Sequence, residues 1–575
     1  MTAGMTTRDA SLPPQRIRTH PAPSSRRTPG SLFASTSPQA DPTWRQDQGK
    51  AKWIPAFAGM TAFPAGMTAA GASCLQGKPP HPRSHSAARA SDNPRRARHN
   101  PSMSSPDLNY GLWLLVADWL VRIAALFWIP TRTTPGAARS WLLLVFFVPL
   151  AGLPLYLLFG HPWLSRERVQ RQRLASQVIR EEQAPLANQR WTPAEGGTAA
   201  EMAPLVERLG DFMPTHGNQV ELLDDYDDAL RRLVADIDGA SARVHLLYYL
   251  MFDDAVGDAV SAALQRAAAR GVQCRLLLDA VGAKRGLRRY RKPLQAAGVD
   301  VHDMLPGGLR WRRSGRMDLR NHRKVAVIDN RAAYVGSQNL ADADFIRGFP
   351  NRELVARVQG PAVAHLEAVF ASDWFIETGE RLAVTPTLPL HDADIATQLL
   401  PSGPAYPFEN ARDTVNALIH LARRRLVLVT PYFVPDESTL SALRIAALSG
   451  VDTQLILSKS NNQPLTAWAQ ASYYAGLLAA GVRIALYRPR FLHAKHLSVD
   501  DDIALVGSIN LDIRSFALNA EVGMLCYGPD VVARMRRIEA DYLADAEQLS
   551  AADWARRPAW HRSREGIARL ADPLL

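Results

Sequence analysis

Two histidine–lysine pairs, His322 with Lys324 and His493 with Lys495, are the residues of this chain whose types and spacing could do chemistry. Each opens the same run: His-x-Lys, four residues, an aspartate (Asp329 or Asp500), six residues, then Gly-Ser-x-Asn. The first run ends on Ser337 and Asn339, the second on Ser508 and Asn510. In a strand, side chains i and i+2 share a face, so each histidine points with its lysine. The apolar stretch that follows turns at "DNR" or "DDD" and returns the serine and asparagine towards the same end. An imidazole, an ammonium, a hydroxyl and a carboxamide together suit a phosphate: the neutral ring nitrogen attacks phosphorus while the donors hold the oxygens as charge builds on them. One run alone lacks the complementary acid. Two facing runs supply one histidine to attack and one to protonate the leaving oxygen, with reference pKa values of about 6.5 that can be split between those jobs.

Each histidine needs a group that fixes its tautomer. "NREL" (351–354) and "NAEV" (519–522) follow their Gly-Ser at similar distances, so Glu353 and Glu521 occupy equivalent places. The expectation is that Glu353 orients His322 and Glu521 orients His493. Asp329 and Asp500 belong to the same motif and invite a catalytic label, but a carboxylate at a hairpin turn more often bonds local backbone amides.

The elements that must position these residues are themselves duplicated. In the first half, 242–250 reads as a strand, 259–271 as a helix ending on Gly271 and 272–280 as a second strand; 424–434, 439–450 and 451–458 repeat that order. "LQAAGVDVHDM" (294–304) matches "LLAAGVRIALY" (477–487). Each half is therefore an α/β unit around a largely buried sheet. The expected architecture is two tandem halves, 215–385 and 398–548, packed as one catalytic unit, with a linker at 163–214 and a tail at 549–575.

Two H-x-K-x4-D-x6-G-S-x-N runs in one chain strongly resemble the phospholipase D superfamily over roughly residues 215–548. Within it, "TPYFVPDE" (430–437), "FLHAKHLSVDD" (491–501), "GSINLDIRSFALNAEV" (507–522) and the final "DPLL" look like the bacterial cardiolipin synthase family. The resemblance implies transfer of a phosphatidyl group from one phosphatidylglycerol to a second, with release of glycerol, through a phosphatidyl-histidine intermediate and with no metal or other cofactor. Carried onto these positions, it implies His322 as nucleophile, His493 as general acid and then base, and Lys324, Lys495, Asn339 and Asn510 on the nonbridging oxygens. Phosphatidylglycerol and anionic membrane lipids are the partners implied. "SKSNNQP" (458–464) and "GSQNLADADF" (336–345) depart from the family pattern, which bears on acceptor choice.

Ahead of the halves lie two apolar segments of 19 residues, 111–129 and 141–159, near the length that spans a hydrocarbon core. They read as a transmembrane hairpin over 108–162, with Trp113, Trp128, Trp141 and Tyr156 as interface anchors. Asp118 and Arg122 interrupt the first segment at i,i+4 spacing and can pair. Arg166, Arg168, Arg171 and Arg173 follow the second segment, so positive-inside reasoning puts the remainder in the cytoplasm of a bacterial cell with a multi-pass inner-membrane anchor. Arg310, Arg312, Arg313, Arg316 and Arg320 could meet lipid headgroups, at about 1 kcal/mol for each basic residue near an anionic surface.

The formal charge of +12 invites a nucleic-acid partner, but residues 1–102 hold 14 Lys and Arg against 4 Asp and Glu, leaving the rest almost neutral. This Pro-, Ser- and Ala-rich leader reads as disordered, and Met103 is the expected start of translation. No nucleic acid is therefore expected as partner. Three scattered cysteines, Cys74, Cys274 and Cys526, make no disulfide framework. Three rival functions remain: a membrane phospholipase D that yields phosphatidic acid, a nuclease of the same superfamily, and a non-enzymatic basic nucleic-acid-binding protein resting on the leader alone.

Overall fold

A computed structural model describes residues 106–572 except 134, 161–163, 307–314, 317, 384–393 and 571. The basic leader, Met103, Cys74, Arg310, Arg312 and Arg313 lie outside the described residues.

The duplication is written into the sheet. From the molecular centre outwards, the first half runs Thr215–Leu223, Val355–Gln359, Ala332–Gly336, Lys324–Ile328, Arg243–Tyr248, Gln273–Asp279 and Asp300–Met304. The second half runs Ile395–Ser402, Asn519–Tyr527, Ile503–Gly507, His496–Val499, Arg425–Val429, Asp452–Ser458 and Arg483–Tyr487, in the same order, with Ala546–Gln548 on its edge. Thr215–Leu223 pairs antiparallel with Ile395–Ser402, so the halves form one continuous sheet. In each half the two outer strand pairs are parallel, because helices such as Ala255–Ala269 and Glu437–Leu448 carry the chain back over the sheet. The strands read as near-continuous apolar runs because both sheet faces are covered: Lys324–Ile328 and Ala332–Gly336 are buried at every position. One core cluster crosses the central join, holding Leu247, Val325 and Trp374 of the first half with Val427, Val506 and Tyr542 of the second.

Two further short pairings cross between the halves. Arg320–Asn321, just before His322, adds in parallel to Asn519–Ala520 of the second half. Phe491–Leu492, just before His493, adds in parallel to Asn351–Arg352 of the first. Each histidine thus enters the site from a strand borrowed by the opposite half.

The structure departs from the sequence reading in three places outside the site. Residues 163–214, expected as a linker, fold as helices Arg166–Glu182 and Thr198–Gly210. Val206 and Met202 of the latter are wholly buried, and Arg168 of the former pairs with Glu377. The first of these helices covers Ala362–Thr378, which is why that helix is buried almost all round and shows no polar face for a sequence pattern to detect. The expected tail carries helix Ala559–Arg569, which packs on Pro464–Ala479 through Arg569 over the Tyr473 ring. The second expected span, 141–159, is not one helix. Pro149 has no N–H and pushes Val148 out of helical geometry (φ −137°, ψ 65°), splitting the segment into Pro135–Phe147 and Pro149–Phe159. The first apolar segment is a single helix with 22 residues, Tyr110–Thr131, long enough to cross a bilayer, with Arg122 and Asp118 paired at 2.8 Å.

Candidate active site

His322 and His493 line one small pocket together with Tyr249, Asn339, Phe345, Asn351, Tyr432, Asn462 and Phe491. The arrangement follows from the crossed strands. Because Asn321 runs beside Ala520, the His322 N–H donates to the Ala520 carbonyl at 2.8 Å, and the imidazole lands beside the next residue of that strand. His322 Nδ1 is 3.0 Å from both carboxylate oxygens of Glu521. The mirror contact is made in the other half, where the His493 N–H donates to the Arg352 carbonyl at 2.8 Å and His493 Nδ1 lies 2.7 Å from Glu353. The expected pairing is therefore corrected: Glu521 serves His322 and Glu353 serves His493. Equivalence of the two glutamates was legible from the repeat, but nothing in a single half reveals that the histidine strands are exchanged.

Both glutamates are fixed by further donors. Ser508 and Ser515 hydroxyls donate to Glu521 at 2.5 and 2.9 Å, and Asn519 at 3.3 Å. Asn351 donates to Glu353 at 3.0 Å. These asparagines open the two quoted Asn-x-Glu motifs, so the repeat held the signal for them. The expectation that Ser337 and Ser508 bind phosphate is not met. The Ser337 hydroxyl donates to the Leu354 carbonyl and accepts the Leu354 N–H, while Ser508 spends its hydroxyl on Glu521 and accepts the Val522 N–H. Both serines are fully buried and pin the glutamate strands, because the hairpin return brings them against that neighbouring strand first. Asn339 reaches the pocket; Asn510 instead hydrogen-bonds Asp512.

Lys324 and Lys495 are almost wholly buried, each donating to the carbonyl of its own histidine, at 2.6 and 2.5 Å. Asp329 and Asp500 stand away from the pocket. Asp329 accepts the backbone N–H groups of Ser241, Ala242 and Arg243, and Asp500 those of Arg423, Arg424 and Arg425. Their catalytic label is corrected to a structural one: each clamps the hairpin turn to the start of the adjacent strand, with Asp329 and Asp500 themselves at positive φ, 53° and 47°. Among the residues not singled out beforehand, Tyr249 sets its ring edge-on to His322 at 5.1 Å and Tyr432 to His493 at 6.4 Å. Each follows the first parallel-paired strand of its half, a repeat of position that the differing loops obscure. Of the arginines read as headgroup contacts, Arg316 is instead buried against Asp318 at 2.6 Å.

Electrostatics converge on one resting state. Burial pushes His322 and His493 each down to about 4, against the opposing pull of Glu521 and Glu353. Burial also lowers Lys495 to about 8 and Lys324 well below its ordinary value. Burial would raise the glutamates, yet His493 with Lys495 outweighs it at Glu353 and His322 with Lys324 at Glu521, holding both carboxyls below the ordinary range. The site thus rests with neutral imidazoles whose Nδ1–H groups donate to carboxylates, leaving each Nε2 lone pair available.

Comparison with known proteins places the chain in a family. The family described as "Cardiolipin synthase, PLD-like domain" matches residues 233–374 and 415–541, and "Phospholipase_D-nuclease N-terminal" matches 120–161. Cardiolipin synthase A of Yersinia pseudotuberculosis serotype O:1b (strain IP 31758) is 34% identical over 483 residues, covering 81% of this chain and 97% of its own. Cardiolipin synthase A of Yersinia pestis gives the same figures, 34% over 483 residues with 81% and 97% covered. Among solved structures, phosphatidylserine synthase of Haemophilus influenzae Rd KW20 superposes with a TM-score of 0.49 at 14% identity, over 62% of this chain and 95% of its own.

Proposed function

We propose that this chain, which belongs to the cardiolipin synthase family of the phospholipase D superfamily, condenses two phosphatidylglycerol molecules into cardiolipin and glycerol. The observation that carries the reading is the pair of buried His–Glu couples facing one pocket from opposite halves. His322 Nε2 attacks the phosphorus of the first phosphatidylglycerol. The phosphorus–oxygen bond to glycerol breaks, its electron pair leaves on that oxygen, and His493 Nε2 gives the oxygen a proton. A phosphatidyl group now sits on His322. The terminal hydroxyl of the second phosphatidylglycerol passes its proton to His493 and attacks phosphorus, and the phosphorus–nitrogen pair returns to His322.

The division of roles rests on the glutamates. Glu521 is met by three further side-chain donors, which spread its charge and leave His322 the weaker proton holder, suited to attack. Beyond His493, Glu353 is met by the single side-chain donor Asn351, keeping more charge for an imidazolium on His493. The anionic phosphodiester, once bound, supplies the further negative charge that lets His493 take up its proton. Lys324, Lys495 and Asn339 hold the nonbridging oxygens as charge grows on them.

The apolar N-terminal helix anchors the protein to the inner membrane. Arg166 and Arg173, which follow the apolar segments on the way into the catalytic body, favour the cytoplasmic face for it. Near-neutral charge outside the leader argues against a polyanionic nucleic-acid substrate.

The test is membranes bearing the protein, supplied with phosphatidylglycerol labelled in its free glycerol and followed for released glycerol and lipid products. Cardiolipin with equimolar glycerol, lost in His322→Ala and His493→Ala, is the expected result. Phosphatidic acid in place of cardiolipin would make the protein a hydrolase.

A further inference from the structure

The geometry points to a re-entrant helical hairpin: residues 135–159 enter the lipid bilayer from the face on which the catalytic body sits and return to that same face, so that only Tyr110–Thr131 crosses. The two short helices are antiparallel in close register. A Cβ on Gly152 would come within 2.8 Å of the Leu144 carbonyl, and one turn further from the tip the Trp141 and Tyr156 rings meet edge-on at 5.7 Å. At the open end, Gly136, Ala137, Phe159 and Gly160 border one crevice. The opposite wall of that crevice belongs to the catalytic body, with Arg316, Glu437, Tyr473 and Arg569 among its residues, and Thr131, the end of the long helix, borders it too. Arg316 also donates to the Phe159 carbonyl at 2.6 Å. In a hairpin that crossed twice, residues 131–140 and 159–160 would lie on opposite faces of the bilayer; here they share one crevice against the body.

Length says the same. The two helices have 13 and 11 residues, or about 20 and 16 Å at 1.5 Å per residue, against a hydrocarbon core of about 30 Å. The tip is also built for lipid and not for water. Phe147, Val148 and Leu150 are all exposed there, Leu150 at 93%, and no Asp, Glu, Lys or Arg occurs between Arg139 and Arg166. The long helix carries Tyr110 and Trp113 at one end and Trp128 at the other, like interface anchors, whereas the tip has no Trp or Tyr. Backbone at membrane depth must satisfy its own polar groups. At the tip Val148 N–H donates to the Leu144 carbonyl at 2.9 Å, Gly152 N–H to the Val148 carbonyl at 2.7 Å, and Pro149 has no N–H to satisfy. The occupant of the exposed apolar surface is thus the acyl layer of one leaflet. Through the bond from Arg316, whose partner Asp318 also accepts from Arg514, the embedded hairpin fixes the depth at which the body rides on the membrane.

Single-cysteine labelling of the full chain in cell membranes tests this, with Cys74 replaced by serine and Cys274 and Cys526 buried. Gly111→Cys and Gly136→Cys place thiols where a Cβ meets nothing, Leu150→Cys sits at the exposed tip, and Leu448→Cys, also exposed, reports the face of the body. A membrane-impermeant maleimide is added to spheroplasts and, separately, to inverted vesicles. Gly136→Cys and Leu448→Cys are expected to react from one face and Gly111→Cys from the other. Leu150→Cys should resist the impermeant reagent from both faces and react with a permeant one. Reaction of Leu150→Cys from the face opposite Leu448→Cys, or of Gly111→Cys from the same face as Leu448→Cys, would overturn the proposal.

Discussion

The Nδ1 of His322 lies 3.0 Å from both carboxylate oxygens of Glu521, a residue 199 positions away and in the other half of the duplication. The His493–Glu353 contact is its reciprocal, so each histidine draws its orientation from the half that does not carry it. Glu521→Gln and Glu353→Gln keep a hydrogen-bonding group but lose the charge, and each should lower turnover by about 10²-fold or more.

The two histidines should separate when the leaving group needs no proton. A phosphatidyl ester of p-nitrophenol is expected to give a burst of nitrophenol, and a lipid adduct joined to His322 by an acid-labile phosphorus–nitrogen bond, in His493→Ala and Glu353→Gln. No burst is expected in His322→Ala. Rapid-quench kinetics with peptide mapping reads both, and the opposite pattern would exchange the roles of the two histidines.

Stability should fall in mild acid. His365 is buried against Phe212 and pushed down to about 4 by burial alone. A group depressed on folding contributes fully above its unfolded value of about 6.5 and loses that contribution as pH falls towards 4, here about 3 kcal/mol for His365. His322, His493 and His496 are depressed in the same direction. The apparent Tm should drop between these pH values, and His365→Leu should flatten the drop while leaving transferase activity at neutral pH intact. An unchanged pH slope in that variant would refute the assignment.

Asp329→Asn and Asp500→Asn remove a charge that three backbone amides share in each case. The expected loss is about 1–3 kcal/mol of stability, read as a lower inactivation temperature, with kcat of the surviving folded enzyme within a few fold of the parent. A collapse of kcat at unchanged Tm would restore the catalytic label.

Gly152→Leu should wedge the two short helices apart, since even a Cβ there would meet the Leu144 backbone at 2.8 Å. Overpacking of this kind costs about 1–3 kcal/mol. Thermal inactivation of membranes should quicken, whereas Gly111→Leu, with nothing within 4 Å, should leave it unchanged.

Much of this protein could be read from its residues, and the reasons for the misses are physical. Repetition exposed the halves, the two histidines, the two lysines and the two glutamates, because equivalent positions recur in equivalent order. Local chemistry also foretold the turn role of Asp329 and Asp500. What stayed hidden depends on which strand lies beside which: the exchange that gives His322 to Glu521, and the diversion of Ser337 and Ser508 to the glutamate strands. The charged sequence of helix Arg166–Glu182 carries no clear apolar stripe, and its burial depends on a partner helix far along the chain. Apolar length alone marks 141–159 as one span, whereas the single residue Pro149 decides that it is two helices.

The crossed strands also bear on where such a chain comes from. Arg320–Asn321 lies on the second half as Phe491–Leu492 lies on the first, the i-to-j and j-to-i correspondence of an isologous contact. A polypeptide of half this length could therefore assemble the same pocket by pairing with a second copy of itself. Fusion of two such copies would free each half to change alone, and the unequal fates of Asn339 and Asn510 show that departure from symmetry has begun.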